Sequence, residues 1–446
     1  MANVIKLRKG LDIQLQGKAA ESRIVLSPNG RFALVPDDFE GVTPKVVVRE
    51  GDHVKAGDAL FINKVYPEVK FASPVSGVVT AVERGERKKV LCVKVEADKE
   101  QSYVDYGKRD VSKLDAKGVI DALLEAGLFG YIDQLPYAVS TNPTVMPKAI
   151  FVSALRDKPL ACDFEYEVKG QEHDFLTGLT ALSRIATTHL GVGVGSALTD
   201  MKDVETTVFE GPCPAGNVGV QVNHIDPVNK GEVVWTVEPT AVLFFGRLFN
   251  TGRVDLRRLV AFCGSEVKQP AHVEMRVGQE LQTLLANSVN ESHHTRIING
   301  NVLTGRPTTK DGYLGAHASE VTVIPEGDDA DEFAGWIMPR LNQFSTSRSY
   351  FSWLFGRKKY ALDARVKGGE RHIIMSGEYD RVLPMDIYGE YLIKAIIAGD
   401  IDRMEQLGIY EVSPEDFALA EFVDSSKLEL QRIVRQGLNN LRKENT

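Results

Sequence analysis

The run of residues 211–219 (GPCPAGNVG) has the composition of a loop that binds an anion through its backbone. It follows a predicted strand at 206–209 (TTVF), and a helix after it would give the strand–loop–helix order of a dinucleotide-binding loop. Its two prolines lack an N–H donor, and no Lys or Arg lies within it, so a tight turn or a subunit contact is the alternative interpretation. A second glycine-rich run, GVGVG at 191–195, has the helix before the strand, which predicts a structural role.

Residues 348–360 (RSYFSWLFGRKKY) place aromatic rings beside cations, with no acidic residue among them. Rings flanked by basic side chains suit the headgroup level of a bilayer or the rim of a membrane-bound partner. An aromatic core segment beside a basic turn is the alternative. The residues predicted to dock on a membrane or partner are Arg348, Tyr350, Phe351, Trp353, Phe355, Arg357, Lys358 and Lys359.

Short β-type runs between turn dipeptides fill residues 45–97, for example around Gly51-Asp52 and Gly57-Asp58. The pattern resembles the barrel-sandwich hybrid of biotinyl and lipoyl carriers. A carrier presents a lysine at the tip of a tight hairpin, and Lys64 is the nearest candidate. Because the spacing from Lys64 to Gly77 is longer than in carriers, we predict an unmodified module. A carrier modified at Lys64 is the alternative.

Residues for nucleophilic or metal chemistry have no recognisable arrangement. Cys92, Cys162, Cys213 and Cys263 are scattered without a CxxC pair, and no carboxylate stands at metal-ligand spacing from a histidine. The sequence also lacks a nucleophile elbow, a P-loop and a zincin motif. We therefore predict neither catalytic residues nor a metal site in this chain.

The elements that must position these residues change type along the chain. Short strands fill 1–100, and strands alternate with helices over 101–255, with a helix starting at Ser112 and a buried strand within 149–155. Short strands return over 256–328 with one helix at 279–287, and helices fill 329–446, ending in an amphipathic helix at 428–441. The predicted fold class is multidomain α+β and α/β, with domain boundaries at these four ranges.

The composition narrows the possible partners of the 446-residue chain. Its 53 Lys and Arg against 61 Asp and Glu give a net charge of −8, which argues against a nucleic-acid partner. No run approaches the roughly 18 apolar residues of a membrane span. These features predict a soluble, cytoplasmic protein.

An ordered series of segments covering nearly the whole chain resembles the NqrA family of sodium-translocating NADH:quinone reductases. The series includes KLRKGLDI at 6–13, REGDHVKAG at 49–57, FASPVSGVV at 71–79, LLEAGLF at 123–129, PKAIFVSA at 147–154, NHIDPVN at 223–229, RLFNTGR at 247–253 and GEYDRVLPMDI at 377–387. The resemblance implies a peripheral subunit on the cytoplasmic face of the bacterial inner membrane, bound to subunits B to F of a complex that reduces quinone with NADH and exports sodium. It also implies a role in docking and in quinone reduction. Flavins and iron–sulfur centres then belong to partner subunits, and this chain binds none.

That family is similar in turn to the flavoprotein subunit of respiratory complex I, which implies a fold for each range. Residues 1–100 would form a barrel-sandwich hybrid, 101–255 a Rossmann-like α/β domain, 256–328 a ubiquitin-like β-grasp (soluble-ligand-binding) domain, and 329–446 a helical domain. The chain departs from that relative because no cysteine follows Cys263, so ligands for an iron–sulfur cluster are missing.

A quinone needs an apolar, aromatic-lined cleft with hydrogen-bond donors for its carbonyls. The candidate quinone-binding rings are Phe39, Phe129, Tyr131 and Tyr137, with Arg156 and His224 as polar partners. Plain interdomain core is the alternative for the rings. The alternative function for the chain is a stand-alone flavin-dependent NADH dehydrogenase that uses the loop at 211–219.

Overall fold

Turn-forming residues divide much of this chain into short strands, which a computed structural model arranges in four sheets with helices packed around them. The structure describes residues 2–27, 29–328, 338–356 and 358–445. In those ranges the strands are β1 (Asn3–Lys6), β2 (Ala20–Val25), β3 (Arg31–Leu34), β4 (Pro44–Val46), β5 (His53–Val54), β6 (Ala59–Asn63), β7 (Lys70–Ala72), β8 (Gly77–Arg84), β9 (Val90–Ala97), β10 (Ile132–Leu135), β11 (Val139–Ser140), β12 (Ile150–Ser153), β13 (Thr188–Gly193), β14 (Glu205–Glu210), β15 (Val234–Val237), β16 (Arg257–Cys263), β17 (Ala271–Arg276), β18 (Thr295–Asn299), β19 (Arg306–Thr308) and β20 (Glu320–Pro325). The α-helices there are α1 (Ala116–Glu125), α2 (Phe164–Val168), α3 (Glu172–Ser183), α4 (Val218–Ile225), α5 (Pro239–Thr251), α6 (Gln282–Leu285), α7 (Tyr379–Val382), α8 (Gly389–Ala398), α9 (Ile401–Gln406), α10 (Ala418–Val423) and α11 (Leu430–Glu444).

Two small sheets form the amino-terminal sandwich that the turn pattern predicts. One sheet has the strand order β3-β9-β8-β5 and the other β4-β6-β7. On β8, Val79 is buried between exposed Val78 and Thr80, because successive side chains of a strand point to opposite faces. Phe61 and Phe71 stack with ring centroids 4.6 Å apart, and residues of both sheets share one apolar core.

The first two strands pair outside this sandwich. β1 lies parallel to β14, with Val4 opposite Val208, and β2 lies parallel to β17, with Ile24 opposite Val273. The predicted unit at 1–100 therefore contains two strands that belong to other sheets. These pairings join residues about 200–250 positions apart, and no local pattern encodes them.

A seven-stranded sheet with the order β1-β14-β13-β12-β15-β10-β11 carries the α/β part. The strands from β1 to β15 in this order are parallel, and β10 and β11 run antiparallel. All four residues of β12 are buried, which confirms the buried strand predicted within 149–155. The chain runs from β12 outward through β13 to β14 and then returns to β15 on the other side of β12. Such a reversal opens a crevice at the carboxyl ends of the two strands.

The first long helix begins four residues later than predicted. Asp115 is the N-cap of α1, and its carboxylate accepts a hydrogen bond from the Gly118 N–H at 2.8 Å. Ser112 instead lies in a separate 3-10 turn, where Asp110 accepts its N–H at 3.0 Å. The start predicted at Ser112 is wrong because Asp110 captures that amide for the preceding turn.

A six-stranded sheet follows in the order β19-β18-β20-β16-β17-β2. Its inner pair, β16 and β20, is parallel, whereas β16 with β17, β18 with β20 and β18 with β19 are antiparallel. α6 is shorter than the predicted helix at 279–287, because Gln279 and Glu280 form β-bridges with Phe32 and Tyr313.

Helices α7 to α11 close the chain around a core of their own. α11 buries Leu430, Val434, Leu438 and Leu441 along one face, which confirms the predicted amphipathic helix. That core includes Phe209 from β14, so the helices pack on the α/β part. None of the helices in the described ranges is long and apolar enough to cross a membrane.

Candidate functional site

A cavity of about 490 Å³ lies where the sandwich, both large sheets and the carboxyl-terminal helices meet. The ends of β12 and β15 form its floor, through Ser153 and Glu238. This is the crevice at the strand reversal, where open α/β sheets bind their ligands. Asp38 comes from the sandwich side, His317 from the segment before β20, and Glu415 from the turn before α10.

A buried charge cluster centres on His317 in the cavity wall. Its Nδ1 lies 3.6 Å from Glu238 Oε1, and Arg258 approaches the other oxygen of Glu238 at 3.7 Å. Burial opposes the charged form of Glu238, but the cations His317 and Arg258 hold its pKa down at about 2. Burial also disfavours charged His317, yet the carboxylates facing it, with Glu238 foremost, raise its pKa above the ordinary value.

Two further carboxyl groups face this histidine across the cavity. Burial raises the pKa of both Asp38 and Asp133, against the opposing charge of His317. Asp38 accepts a hydrogen bond from the Ala316 N–H at 2.8 Å, so one sandwich turn is tied to the segment that carries His317. The cluster can therefore hold protons on groups that line one cavity.

Aromatic rings pack behind the cluster. The ring centroids of Phe39 and Tyr131 lie 5.4 and 5.6 Å from that of His317 and 5.3 Å from each other. The Tyr131 hydroxyl is buried and has no hydrogen-bond partner among the described residues. Two of the predicted quinone-binding residues, Phe39 and Tyr131, thus lie together against the cavity wall.

Arg156 lines the same cavity in a fixed orientation. Its guanidinium donates to Glu167 at 2.9 Å and to Thr240 at 2.7 Å, and it stacks over Phe164. Glu167 is fully buried and also accepts the Leu259 N–H, at 3.2 Å. This arrangement fixes one polar side of the cavity.

The other predicted quinone-binding residues lie apart from this wall. Phe129 is buried edge-to-face against Trp235 at 5.6 Å. Tyr137 lies beside α11, where its carbonyl accepts a hydrogen bond from Arg435 at 2.8 Å. His224 is exposed on α4, and its Nδ1 bonds the Val220 carbonyl at 2.9 Å. The structure therefore gathers three of the six residues at or against the cavity: Phe39, Tyr131 and Arg156.

The loop at 211–219 has the predicted strand–loop–helix order, between β14 and α4. Its amides already bind carboxylates of the chain itself: the Cys213 N–H donates to Asp12 at 3.0 Å and the Gly216 N–H to Asp157 at 2.9 Å. A Cβ on Gly219 would overlap the Asp416 carboxylate, which packs on the start of α4. Carboxylates thus stand where a dinucleotide loop would hold phosphate.

The aromatic–basic run at 348–360 lies at the surface. Phe351, Trp353 and Phe355 are exposed on a 3-10 helix (Phe351–Phe355), Arg348 and Lys359 are exposed, and Tyr350 and Lys358 are half-buried. Arg357 lies outside the described residues. Lys64 is exposed in the turn after β6.

Sequence reasoning missed the residues at the centre of the cavity, namely Asp38, Asp133, Glu238 and His317. Only Glu238 carries a local signal, as a polar residue between a buried strand and the proline that starts α5. No three His, Cys, Asp or Glu side chains in the described part of the chain have metal-binding geometry.

Known proteins match the chain from end to end. Three family models match it: the NqrA N-terminal barrel-sandwich hybrid domain at residues 5–98, the NqrA second alpha/beta domain at 114–254 and the NQRA C-terminal domain at 259–310. The first match confirms the predicted barrel-sandwich hybrid. A chain of an NAD+-reducing [NiFe]-hydrogenase matches with a TM-score of 0.35 and 11% identity over 77% of this chain and 67% of its own, and this similarity supports no inference.

Curated relatives match over their whole length. The NqrA protein of the Na(+)-translocating NADH-quinone reductase of Yersinia pestis bv. Antiqua is 34% identical over 99% of this chain and 100% of its own. The corresponding protein of Haemophilus influenzae is 35% identical with the same coverage. The chain therefore belongs to the NqrA family of Na(+)-translocating NADH-quinone reductases.

Proposed function

We propose that this chain is a peripheral subunit, on the cytoplasmic face of the bacterial inner membrane, of a reductase that passes electrons from NADH to quinone and exports Na+. The full-length match to NqrA proteins of such reductases supports this proposal. Its partners are then the other subunits, B to F, and no nucleic acid. Deleting the gene from its host should abolish Na+-dependent NADH:quinone reduction in membranes, and a tagged copy should restore it and co-purify with the membrane subunits. Unchanged activity in the deletion strain would refute the assignment.

The cavity at the strand reversal is the best place in this chain for a quinone headgroup. Its volume of about 490 Å³ lies within the range of roughly 300–1,000 Å³ typical of small-molecule sites. Leu135, Val218 and Val237 give it apolar surface, while Lys158 and His317 offer hydrogen-bond donors for the two carbonyls. We infer that the chain contributes here to the quinone-reduction step.

Filling the cavity tests this site. Ala161 lines it and is half-buried, so Ala161→Trp should occupy the cavity with little change in the core. The variant should lose binding of a short-chain quinone to the purified chain by about tenfold or more, whereas Ala398→Trp, at an exposed position on α8, should bind as the wild type does. Equal quinone binding by a folded Ala161→Trp chain would exclude this cavity.

We propose that the chain binds no prosthetic group of its own. The loop that would hold a dinucleotide already uses its amides for Asp12 and Asp157, and no cysteine follows Cys263. The comparisons give the stand-alone flavin-dependent dehydrogenase no support. An acid extract of the purified chain should lack both iron and the visible absorption of flavin, and a stoichiometric amount of either would refute the proposal.

We propose finer fold assignments for three parts. The parallel strands with a reversal between β12 and β15 support a Rossmann-like unit at 101–255. The order β17-β16-β20-β18-β19 around a parallel inner pair supports a ubiquitin-like β-grasp at 256–328. Helices α7 to α11 support a helical domain within 329–446. A crystal structure compared with reference folds would test each assignment.

A further inference from the structure

The 3-10 helix Phe351–Phe355 has its polar side chain inside and its apolar side chains outside. Ser352 is 1% exposed, whereas Phe351 is 55%, Trp353 44%, Leu354 62% and Phe355 54% exposed. With three residues per turn, these four side chains cover more than one side of the helix. Contiguous exposed apolar surface of this kind marks a contact site.

A neighbouring segment of the chain extends this apolar surface. The Phe351 N–H donates to the Pro339 carbonyl at 3.3 Å, and Lys358 Nζ donates to the Leu341 carbonyl at 2.9 Å. Met338 and Leu341 are themselves 60% and 43% exposed. We call the six exposed residues the ring patch: Met338, Leu341, Phe351, Trp353, Leu354 and Phe355.

Cations frame the ring patch. Arg348 lies over the Trp353 ring at 5.3 Å, and Lys358 lies over the Phe355 ring at 5.4 Å. Residues 338–360 contain five Lys or Arg and no Asp or Glu, in a chain whose net charge is −8. The positive charge is therefore concentrated beside the exposed rings.

We propose that the ring patch inserts into the headgroup region of an anionic lipid bilayer. Aromatic rings and the stems of basic side chains favour that region, and each cation near anionic lipid adds to the binding. The patch is a narrow protruding helix, whereas a stable protein interface usually buries about 800 Å² on each partner. The proposal deepens the proposed function, because it adds a direct lipid contact to a subunit of a membrane-bound complex.

Sedimentation of the purified full-length chain with vesicles tests the proposal without the other subunits. The chain should bind vesicles that contain phosphatidylglycerol, and should bind pure phosphatidylcholine far less. Arg348→Gln with Lys358→Gln should weaken binding about 30-fold, since two cations contribute about 1 kcal/mol each. Added salt should reduce binding in the same direction.

The ring variants separate insertion from simple attraction. Trp353→Ser with Leu354→Ser should abolish vesicle binding while the melting temperature stays near that of the wild type, because both side chains are exposed. The matched control changes Tyr388 and Tyr391 on and beside α8 to Ser; these rings are 67% and 57% exposed but lie near Asp386 and Glu390 in the sequence. Trp353 emission should shift to the blue on binding, measured against Trp353→Phe.

Two results would overturn the proposal. In the first, the folded wild-type chain fails to bind anionic vesicles. In the second, Trp353→Ser with Leu354→Ser binds vesicles normally but loses its place in the assembled complex, which would make the ring patch a protein-binding surface. Vesicle binding by a chain that does not restore quinone reductase activity would support the lipid contact and refute the proposed function separately.

Discussion

Asp416 gives the most direct test of how the carboxyl-terminal helices close the glycine-rich loop. Its side chain is 2% exposed and packs on the start of α4. It accepts hydrogen bonds from the Ser413 N–H and Oγ at 2.8 and 2.9 Å, and from Asn217 at 3.4 Å. Asp416→Asn keeps the shape and the oxygen that Ser413 needs, and its amide faces Asn217, whose Oδ1 is buried without a partner among the described residues.

The expected effect follows from the pKa of Asp416, which burial raises to about 6. An aspartate in an unfolded chain has a pKa of about 3.9, so the folded state binds this proton more tightly. The stability that Asp416 contributes is thus complete below about pH 4 and is lost as the pH rises through about 6. A gap of about two pKa units corresponds to about 3 kcal/mol at neutral pH.

The measurement is the difference in unfolding free energy between Asp416→Asn and wild type from about pH 4 to about pH 8. That difference should move by about 3 kcal/mol in favour of the variant as the pH rises. Because a chain of several parts need not unfold in one step, hydrogen exchange of α10 amides should report the same trend locally. A difference that stays constant over this pH range would refute the assigned burial of an ionised Asp416.

Three further outcomes follow from buried contacts. Glu167→Gln should cost about 3–5 kcal/mol in urea unfolding, since it leaves Arg156 buried without its carboxylate, and Arg156→Met with Glu167→Leu should cost less than the sum of the single changes. Gly246→Ala should destabilise by about 1–3 kcal/mol despite its better helix propensity, because the new Cβ would overlap the Asp174 carbonyl oxygen of α3; unchanged melting would contradict this close packing. Glu238→Gln should lower the pKa of His317 in NMR titration, and stability from this histidine should fall with rising pH in the wild type only.

The cavity shows what the sequence leaves open. Asp38, Ser153, Glu238, His317 and Glu415 come from five separate segments, and each segment taken alone has an ordinary turn or strand pattern. They meet because β12 and β15 end at the same edge of the seven-stranded sheet and the other parts close over that edge. Long-range pairing of this kind leaves no local spacing to read, which is why His317 escaped prediction while Arg156 was included.

The sequence by itself determined the local structure and the family. Turn dipeptides predicted the sandwich, the apolar spacing of α11 predicted its helix, and the ordered segments indicated membership in the NqrA family. Only the tertiary structure decided that β1 and β2 pair with distant sheets and that Asp12 and Asp157 occupy the amides of the loop at 211–219. The physical reason is range: periodicity and turn chemistry act over a few residues, whereas burial, charge pairing and sheet register depend on partners hundreds of residues away.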